Sequence, residues 1–416
     1  MMRLSNEMST LVFIYNSFND PLFQNLVLTY IKTLAKKGNY VFYVITFEQD
    51  NYRITENEKR KVIKDLNRLG IYWYPLNYHT GHFLLLKKLY DFMAALLLVS
   101  KIRLVKNTKV IFSFGNIAAS FSIIFSIILS MRMIVYSYEP HSFFLAELGL
   151  WSKRSLKYQL LKAIEKFAGI HGDYILTGTK HMVNELRKWG AKGNVFCAPT
   201  GVDESEFSFR NEGRIKVRKR FALNDRDVLI YMGKFGGLYY KEEVAELCKL
   251  LFDLRPKLFF LIVTSNKHEE VNYFFKNAGL NGEHYAITGG LSYDEVIDYL
   301  SAADIGLSAV PPTPSQKFRS PTKVGEYLLC GLPYITCKGI SEDDVYATEN
   351  NVGVVLENFN REHVIKNIEN IDVLLSEEKE SLRYRCRNVG IEYRGKANVD
   401  KLLAKIFNEI FTHQKS

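Results

Sequence analysis

The segment SPTKVGEYLLCGLPYITC combines residue types that could bind a phosphate group and a pair of sugar hydroxyls. Pro321 disfavours a helical conformation for the residue before it, and Ser320 or Thr322 could cap a helix that follows. The Lys323 ammonium and the unpaired amides at the start of that helix would attract a phosphate. Glu326 lies on the same helical face as Lys323, and its carboxylate could accept two hydrogen bonds from a ribose diol. A capped helix with an exposed Lys323–Glu326 ion pair is the alternative interpretation.

A second candidate for anion binding is the glycine-rich run Gly233-Lys234-Phe235-Gly236-Gly237, which follows the apolar stretch VLIYM. Glycines allow backbone amides to converge on an anion, and the Lys234 ammonium would add a positive charge. The run does not match the GxGxxG dinucleotide fingerprint, so an ordinary glycine turn is the alternative.

Metal-binding patterns are weak in this sequence. It has no HExxH motif and no Cys/His cluster, and its one Asp-x-Asp, Asp225-Arg226-Asp227, lies in a polar stretch before an apolar one. We interpret that triplet as a turn, because a metal site in such a fold is expected after a strand. We therefore expect no metal ion and no other cofactor.

Short apolar stretches of strand length alternate with helix-length amphipathic stretches along the chain. Strands that are apolar on both faces and alternate with helices predict parallel sheets covered on both sides. The pattern stops at a charged, loop-like stretch, residues 203–227, and then starts again. We predict an α/β fold with two doubly wound, Rossmann-like domains, residues 1–205 and 206–395, whose strands end at a central cleft. A C-terminal helix, residues 396–416, is expected to return to the first domain.

The composition is that of an ordinary globular protein. Of the 416 residues 47% are apolar and 24% charged, which excludes a disordered or collagen-like chain. The five cysteines are an odd number without CxxC spacing, which favours a reducing compartment over a disulfide framework. No secretory signal is visible, because the apolar run Leu11 to Tyr15 is short and polar residues follow it at once.

The net charge of +10 is unevenly distributed. Residues 1–200 contain 26 Lys and Arg but 13 Asp and Glu, whereas residues 201–416 contain 29 and 32. A basic first half suggests an anionic partner such as a membrane surface, a lipid-linked phosphate or a nucleic acid, and a solvated lysine-rich surface is the alternative. The leucine-rich segment Phe83 to Ser100, next to Lys101 and Lys106, could rest on anionic lipid or form a core helix with a charged outer edge.

Residues Val110 to Met131 form an uncharged run of 22 residues, long enough to cross a bilayer as a helix. The run also contains five serines and opens with the strand-like VIFSF. We interpret it as a buried strand, a turn and a buried helix from about Ile117 to Ser130, followed by the strand MIVYSY. The transmembrane alternative would separate two strands that belong to one sheet.

Several segments, in a characteristic order and spacing, resemble the GT-B nucleotide-sugar glycosyltransferases, in particular the large retaining group called family 4. They are NVFCAPTGVDESEF, YMGKFGG, AITGGLSYDEVIDYLSAADIGLSAV and GEYLLCGLPYI. The resemblance covers nearly the whole chain. It implies a GT-B fold whose second domain binds a nucleoside diphosphate sugar, with UDP ahead of GDP as the nucleotide, and whose first domain binds the acceptor.

The resemblance also implies roles for single residues. Lys234 matches a basic residue that grips the donor diphosphate, and Ser320 to Lys323 match the loop and helix start that cradle it. Glu326 matches the family's second glutamate, which holds the ribose. This chain departs from the pattern in three places. Phe318 stands where the family has its first glutamate, and Lys241 is an imperfect substitute for a second basic residue. The loop Asn16 to Pro21 lacks the glycines that many members have there.

In the first half, the run Tyr138-Glu139-Pro140-His141 follows a predicted strand. A histidine near this place reaches the donor sugar or its phosphate in the resembling family, and His141 is the match; a loop histidine bonded to backbone is the alternative. Glu139 could serve as a base if the enzyme inverted the anomeric centre. Retaining members need no strong protein base, because the departing phosphate can take the acceptor's proton, so we expect retention.

The resemblance thus implies transfer of a hexose-type sugar to a glycan or lipid-linked acceptor, in bacterial surface polysaccharide or glycoconjugate synthesis. We expect a cytoplasmic protein that is peripheral on the inner face of the membrane and has no nucleic-acid partner. One alternative is a nucleotide-sugar epimerase, which would convert its substrate without an acceptor. The other is a basic nucleic-acid-binding protein, although the sequence has no recognised nucleic-acid motif.

Overall fold

The protein is described from a computed structural model that covers residues 8–38 and 40–412. The chain forms two compact units. Unit 1 consists of the described residues up to Ala198 together with those from Val399 onward, and unit 2 consists of Pro199–Asn398. The first boundary therefore falls a few residues before the one that the sequence pattern suggested, and the second a few residues after it.

Unit 1 contains a seven-stranded sheet in which every neighbouring pair of strands is parallel. The strand order is β3-β2-β1-β4-β5-β6-β7, so the topological switch lies between β1 and β4. Val12 at the centre of β1 pairs with Val44 on one side and Phe112 on the other. The strands are β1 (Met8–Ile14), β2 (Tyr40–Glu48), β3 (Ile71–Asn77), β4 (Val110–Phe114), β5 (Arg132–Tyr136), β6 (Tyr174–Thr177) and β7 (Asn194–Cys197).

Three helices of unit 1 start at a residue whose side chain caps the helix: Thr55, Ser155 and Thr179. Thr55 and Glu58, for example, make a reciprocal capping box at the start of the second helix. A π-helical turn, Phe23–Val27, precedes the first helix. The helices are α1 (Leu28–Lys37), α2 (Glu56–Arg68), α3 (Leu84–Val105), α4 (Gly115–Leu129), α5 (His141–Glu147), α6 (Leu156–His171) and α7 (Lys180–Lys188).

The uncharged run Val110 to Met131 folds as the strand β4, the helix α4 and the turn that leads into β5. Both strands pair with each other in one sheet, as the sequence pattern predicts. In the part of the chain that the structure describes, no helix combines the length and the apolar character needed to cross a membrane.

Unit 2 contains a six-stranded parallel sheet in the order β10-β9-β8-β11-β12-β13, with the switch between β8 and β11. Its strands are β8 (Asp227–Met232), β9 (Leu258–Val263), β10 (Tyr285–Thr288), β11 (Ile305–Leu307), β12 (Tyr334–Cys337) and β13 (Gly353–Leu356). The helices of unit 2 are α8 (Asn211–Arg220), α9 (Glu243–Leu254), α10 (His268–Asn277), α11 (Tyr293–Ala302), α12 (Lys323–Leu329), α13 (Asp343–Glu349), α14 (Arg361–Ser376) and α15 (Lys379–Arg394). The last helix, α16 (Lys396–Thr412), belongs to unit 1 except for its first three residues.

One helix of unit 2 contradicts the sequence pattern. The charged stretch 203–227, interpreted as loop-like, contains α8, because its arginines have buried partners in the folded unit. Arg214 and Arg218 bind the two oxygens of the buried Asp304 carboxylate at 2.8 and 3.2 Å. A buried carboxylate needs such pairing, and these bonds hold α8 against the end of α11.

The last helix belongs to the core of unit 1. The apolar side of α16 packs on the sheet, where Phe407 contacts Phe42 and Phe112 at ring-centre distances of 6.0 and 6.1 Å. Tyr40 donates a hydrogen bond to Asn408 Oδ1 at 2.7 Å. The chain therefore closes unit 1 with residues from both of its ends, and three helices follow the last strand of unit 2.

Candidate functional site

The helix α12 lies at the topological switch of the unit 2 sheet, and Tyr327 places it there. The Tyr327 hydroxyl donates to the carbonyl oxygen of Leu307 at the end of β11, at 3.0 Å. It also accepts from the backbone N–H of Met232 at the end of β8, at 3.3 Å. A Cβ atom on Gly306 would lie 2.6 Å from the Tyr327 ring, so this close packing requires glycine. Ligands of doubly wound folds bind at such a switch.

Lys323 and Glu326 are in contact at the start of α12. The Lys323 ammonium lies 2.9 and 3.2 Å from the two Glu326 carboxylate oxygens, and the side chains are 32% and 12% exposed. The ion pair of the alternative interpretation is therefore present, but it is partly buried and not exposed. Its ammonium still reaches solvent on one side, where it could exchange the carboxylate for an anion of a ligand.

The predicted cap of this helix is wrong in its detail. Thr322 occupies the N-cap position without a side-chain hydrogen bond to the helix. Ser320 is buried, and its Oγ accepts hydrogen bonds from the backbone N–H of Thr200, at 2.9 Å, and from Arg394 Nη1. The Ser320 side chain therefore fixes the loop before α12 instead of capping the helix. Pro321 and Thr322, which lie between Ser320 and the first residue of α12, are partly exposed.

The glycine-rich run after β8 forms a compact turn. Gly236 and Gly237 have φ angles of 82° and 67°, a region that glycine adopts without strain. The buried Phe235 anchors the turn, and its N–H donates to Asn266 Oδ1 at 3.0 Å. Lys234 is exposed, and its ammonium makes no hydrogen bond or ion pair within the described residues. Gly233 follows β8 directly and donates to the carbonyl oxygen of Val263.

The two candidate segments of unit 2 lie at the same edge of the sheet. They follow β8 and β11, which are neighbouring strands, and both therefore start at the carboxyl end of the sheet. The N–H of Tyr240, at the end of the glycine-rich turn, donates to the carbonyl oxygen of Ala309 in the loop after β11, at 3.0 Å. This bond joins the glycine-rich loop, which carries Lys234, to the segment between β11 and α12, the helix that begins at Lys323.

Two of the three departures from the resembling family lie in unit 2, and the structure shows the contacts of both side chains. Phe318 is buried in a short 3-10 turn, and the Lys317 ammonium lies 4.9 Å from its ring centre. Lys241 pairs with Glu270 at 3.2 Å and lies above the Phe274 ring. Phe318 offers no carboxylate to a sugar, and the Lys241 charge is already partly neutralised.

Tyr293 is a polar neighbour of Glu326 and is hydrogen-bonded to Glu206, and the sequence singled out neither Tyr293 nor Glu206. Burial raises the pKa of Tyr293 above its ordinary value, and a hydrogen bond to Glu206 and the negative charge of Glu326 raise it further. Tyr293 also packs edge-on against the buried ring of Phe207. Tyr293 follows Ser292, the N-cap of α11. That serine predicts where the helix starts, but it does not predict that Tyr293 lies near Glu326.

In unit 1, His141 begins α5 directly after the loop that follows β5. The backbone N–H of Glu139 donates to Asn116 Oδ1 at 2.7 Å. The buried Glu165 carboxylate of α6 accepts from Ser142 N at 3.1 Å and from Ser142 Oγ at 2.5 Å. Burial raises the pKa of Glu165 to about 7. Glu165 thus fixes the position of the His141 loop, and no local sequence signal indicates that role.

A second polar cluster lies after β3 of unit 1. The fully buried Asp91 carboxylate of α3 binds His79 Nδ1 at 2.5 Å, Tyr15 OH at 3.1 Å and Lys88 Nζ at 3.2 Å. The Lys88 ammonium also lies 3.5 Å from the ring centre of Tyr78. These bonds tie the ends of β1 and β3 to α3. Sequence reasoning missed the cluster, because its members come from three separate elements.

Within residues 8–38 and 40–412, no group of three or more His, Cys, Asp and Glu side chains could hold a metal ion. Asp227 of the Asp-x-Asp triplet binds Arg255 at 3.4 Å. Metal independence stays a prediction.

The sequence matches no family model and no curated protein. Solved structures, in contrast, are similar over nearly the whole chain. Sucrose-phosphate synthase from Thermosynechococcus elongatus is 14% identical with a TM-score of 0.72, covering 97% of this chain and 99% of that chain. HepE from Anabaena, solved in complex with UDP, is 12% identical with a TM-score of 0.70, and 97% and 100% are covered. WaaG, a glycosyltransferase involved in lipopolysaccharide biosynthesis, is 16% identical with a TM-score of 0.60, and 97% and 99% are covered.

These likenesses establish the fold. The chain has the GT-B fold of glycosyltransferase structures, built from two doubly wound parallel-sheet units, as its motifs predict. The class of fold and the position of α12 at the switch of the unit 2 sheet provide the basis for a functional proposal.

Proposed function

We propose that this chain is a glycosyltransferase that uses a nucleoside diphosphate sugar as donor. The observation that carries the proposal is the seating of α12 by Tyr327 at the switch between β8 and β11, which places Lys323 and Glu326 at the carboxyl edge of the sheet. The loop that carries Lys234 is bonded to the same edge. The likeness to solved glycosyltransferase structures supports the same reaction class.

The donor binds to unit 2 in this proposal. Lys234 and Lys323 bind the diphosphate, and UDP is the expected nucleotide, in keeping with the UDP bound to the similar HepE structure. When the phosphate takes the Lys323 ammonium, the Glu326 carboxylate is released to accept hydrogen bonds from the ribose diol. The present Lys323–Glu326 pair is then the ligand-free arrangement of the same two groups.

Catalysis consists of positioning the reactants and stabilising the leaving group. The bond between the anomeric carbon and the phosphate oxygen breaks, and its electron pair stays on the diphosphate next to the lysines. The acceptor oxygen attacks from the face that the diphosphate leaves, which retains the anomeric configuration. Its proton goes to the departing phosphate, so the reaction needs no protein base. Two ammonium groups supply the positive charge that a metal ion would bring, so we propose a metal-independent reaction.

The acceptor binds to unit 1, near the loop that carries Glu139 and His141. Its proposed class is a glycan or a lipid-linked saccharide of bacterial surface polysaccharide or glycoconjugate synthesis. Glu165 keeps this loop in place through Ser142, so His141 would be presented at a fixed position. His141 and Glu139 are the proposed catalytic candidates of this loop, and Glu139 is the base only if the product is inverted.

A peripheral membrane location fits the surface of α3. Leu86 and Leu97 are 65% and 68% exposed, and the exposed apolar side chains share one helical face: Leu86, Leu89, Tyr90, Met93, Leu97 and Leu104. Between Asp91 and Glu139 the sequence has five basic residues and no acidic one. Lys101 and Arg103 lie on the same helix, and Lys106 ends it. A helix with an exposed apolar face and basic residues can bind the interface of an anionic bilayer. We propose that this face rests on the cytoplasmic membrane surface.

Nucleotide binding tests the proposal most directly. Thermal stability is measured with UDP, GDP, ADP and CMP, each alone and as a sugar conjugate, because a ligand that binds only the folded state raises the melting temperature. We expect stabilisation by UDP or GDP and by the matching sugar conjugate. Absence of stabilisation by all four nucleotides and all conjugates would overturn the proposal. Conversion of a nucleotide sugar to its epimer without an acceptor would favour the epimerase alternative.

Substitutions test the site. Lys323→Ala should lower the rate of sugar transfer roughly a hundredfold, because it removes one group that stabilises the charge of the leaving diphosphate. Glu326→Ala should mainly weaken nucleotide binding. The matched control is Lys249→Ala, which breaks a similar ion pair, the one that Lys249 forms with Asp253 near the C-terminal end of α9. Unchanged nucleotide binding and transfer in both site variants would contradict the site assignment.

A further inference from the structure

Unit 2 contains a fully buried ion pair that the proposed reaction does not use. Arg394, the last residue of α15, binds Asp343 at the start of α13, with 2.7 Å between Nη2 and Oδ1. Both side chains are 0% exposed. A buried guanidinium is costly to desolvate, and such pairs often add no net stability compared with well-packed apolar residues. The pair therefore calls for an account other than stability.

The Arg394 guanidinium connects this ion pair to the loop before α12. Its Nη1 donates to Ser320 Oγ, and its Nη2 donates to Asp343 and to Tyr393 OH. Tyr393 in turn donates to Asp343 Oδ1 at 2.9 Å. Asp343 and Tyr393 thus fix the orientation of the guanidinium through Nη2, and its Nη1 is left to contact Ser320.

The aliphatic part of Arg394 packs against α12 itself. A Cβ atom on Gly325 would lie 2.8 Å from Arg394 Cβ, and thus the helix approaches the arginine as closely as glycine allows. Gly325 lies between Lys323 and Glu326 in sequence. One buried side chain therefore touches both the loop and the helix that present the proposed phosphate-binding lysine.

The main chain around Arg394 is held as well. Its carbonyl oxygen accepts from Val202 N at 2.8 Å, and Lys396 N donates to the carbonyl oxygen of Val202 at 3.0 Å. Two residues before Val202, the N–H of Thr200 donates to the same Ser320 Oγ that Arg394 contacts. Ser320 is thereby held from two sides by segments that are themselves bonded to each other.

We propose that Arg394 is a positioning residue for the donor diphosphate. Through Ser320 and Gly325 it fixes the backbone of residues 320–323, and with it the Lys323 ammonium, in the geometry that the diphosphate needs. Asp343 orients the guanidinium for this task. The inference rests on the proposed function and adds to it a residue that does not contact the donor.

The test compares two arginines of α15. Arg394→Lys keeps a positive charge for Asp343 but loses the planar fork that reaches Ser320. The matched control is Arg385→Lys, because Arg385 forms a two-fold pair with Glu377, at 2.5 and 2.6 Å, away from Ser320. The dissociation constant of UDP is measured by calorimetry, and the melting temperature of each variant is measured alongside.

We expect Arg394→Lys to weaken UDP binding tenfold or more, whereas Arg385→Lys changes it less than twofold at a similar melting temperature. Ser320→Ala should weaken binding as well. If Arg394 acts through Ser320, the double variant, which carries both Arg394→Lys and Ser320→Ala, should bind UDP about as weakly as whichever single variant binds it less well. The reason is that the effects of coupled substitutions are not additive.

UDP binding within twofold of wild type in a folded Arg394→Lys variant would overturn the inference, and so would additive effects in the double variant. Should Arg394→Lys fail to fold, Asp343→Asn takes its place in the same cycle, because it removes the orienting charge and keeps the arginine. If the wild-type chain binds GDP and not UDP, GDP is the probe. A wild-type chain that binds none of the four nucleotides contradicts the proposed function itself, which distinguishes the two failures.

Discussion

Tyr327 donates a hydrogen bond to the carbonyl oxygen of Leu307 across the switch of the unit 2 sheet, at 3.0 Å. Because the same hydroxyl accepts from Met232, a single oxygen joins the ends of β8 and β11 to α12. Tyr327 directly follows Glu326, so these hydrogen bonds also fix the backbone position of Glu326, the proposed ribose-binding residue.

Tyr327→Phe should lower both stability and nucleotide affinity. It leaves a buried N–H and a buried carbonyl oxygen without their partner, which costs about 1 to 3 kcal/mol of the free energy of unfolding. We also expect a severalfold larger dissociation constant for UDP, because α12 loses its fixed position. Urea denaturation followed by circular dichroism and calorimetric titration with UDP measure the two effects.

The control for that variant is Tyr299→Phe. Tyr299 is a buried tyrosine of α11 whose oxygen accepts from Arg220 at 3.1 Å. Its loss should reduce stability without changing the affinity for UDP. Equal affinities in both variants would show that the seating of α12 has no part in binding.

Glu165 should make the stability of unit 1 depend on pH. Its native pKa of about 7 lies above its ordinary value of 4.5, so the native state binds the proton more tightly than the unfolded state. The stabilising contribution is complete below about pH 4.5 and is lost as the pH rises to about 7, at about 1.4 kcal/mol per pH unit. Glu165→Gln should remove this slope.

Tryptophan fluorescence can follow that transition, because Trp73, Trp151 and Trp189 are the three tryptophans of the sequence and all lie in unit 1. Denaturation curves between pH 4.5 and pH 7.5 give the slope for each variant. Glu185→Gln, on α7, serves as the control and should behave as the wild type. A slope that persists in Glu165→Gln would refute the assignment.

Phe407→Ala should destabilise unit 1 strongly. The ring is fully buried against Phe42 and Phe112, and loss of a buried phenylalanine side chain costs about 3 to 5 kcal/mol. Tryptophan fluorescence during denaturation measures the change. Lys401→Ala, on the exposed side of the same helix, should have little effect. Similar stabilities of the two variants would contradict the packing of α16 in this core.

The exposed face of α3 should bind anionic vesicles. We expect co-sedimentation with vesicles of phosphatidylcholine and phosphatidylglycerol, weakened by salt, and much less with phosphatidylcholine alone. Leu97→Glu should reduce binding severalfold. Ile215→Glu, which changes an equally exposed apolar residue in unit 2, should not. Equal sedimentation of both variants would exclude this face as the membrane contact.

The alternation of apolar strands with helices by itself determined the class of fold and the two sheets. The reason is physical: a strand buried on both faces must be apolar throughout, and that pattern is visible in sequences such as LFFLIV. The residues around Lys323 were also visible, because helix starts and glycine turns have local signals. Neighbouring residues alone therefore sufficed to propose this segment as a candidate site, and that assignment stays a prediction.

The tertiary structure decided which charges are buried and what they bind. Arg214 turns a charged stretch into the helix α8, and Glu165 and Arg394 acquire their partners from elements distant in sequence. It also placed α16 in the core of unit 1 and engaged Ser320 in a bond that no local rule predicts. Such contacts depend on long-range packing, and the local sequence around each residue does not indicate its partner.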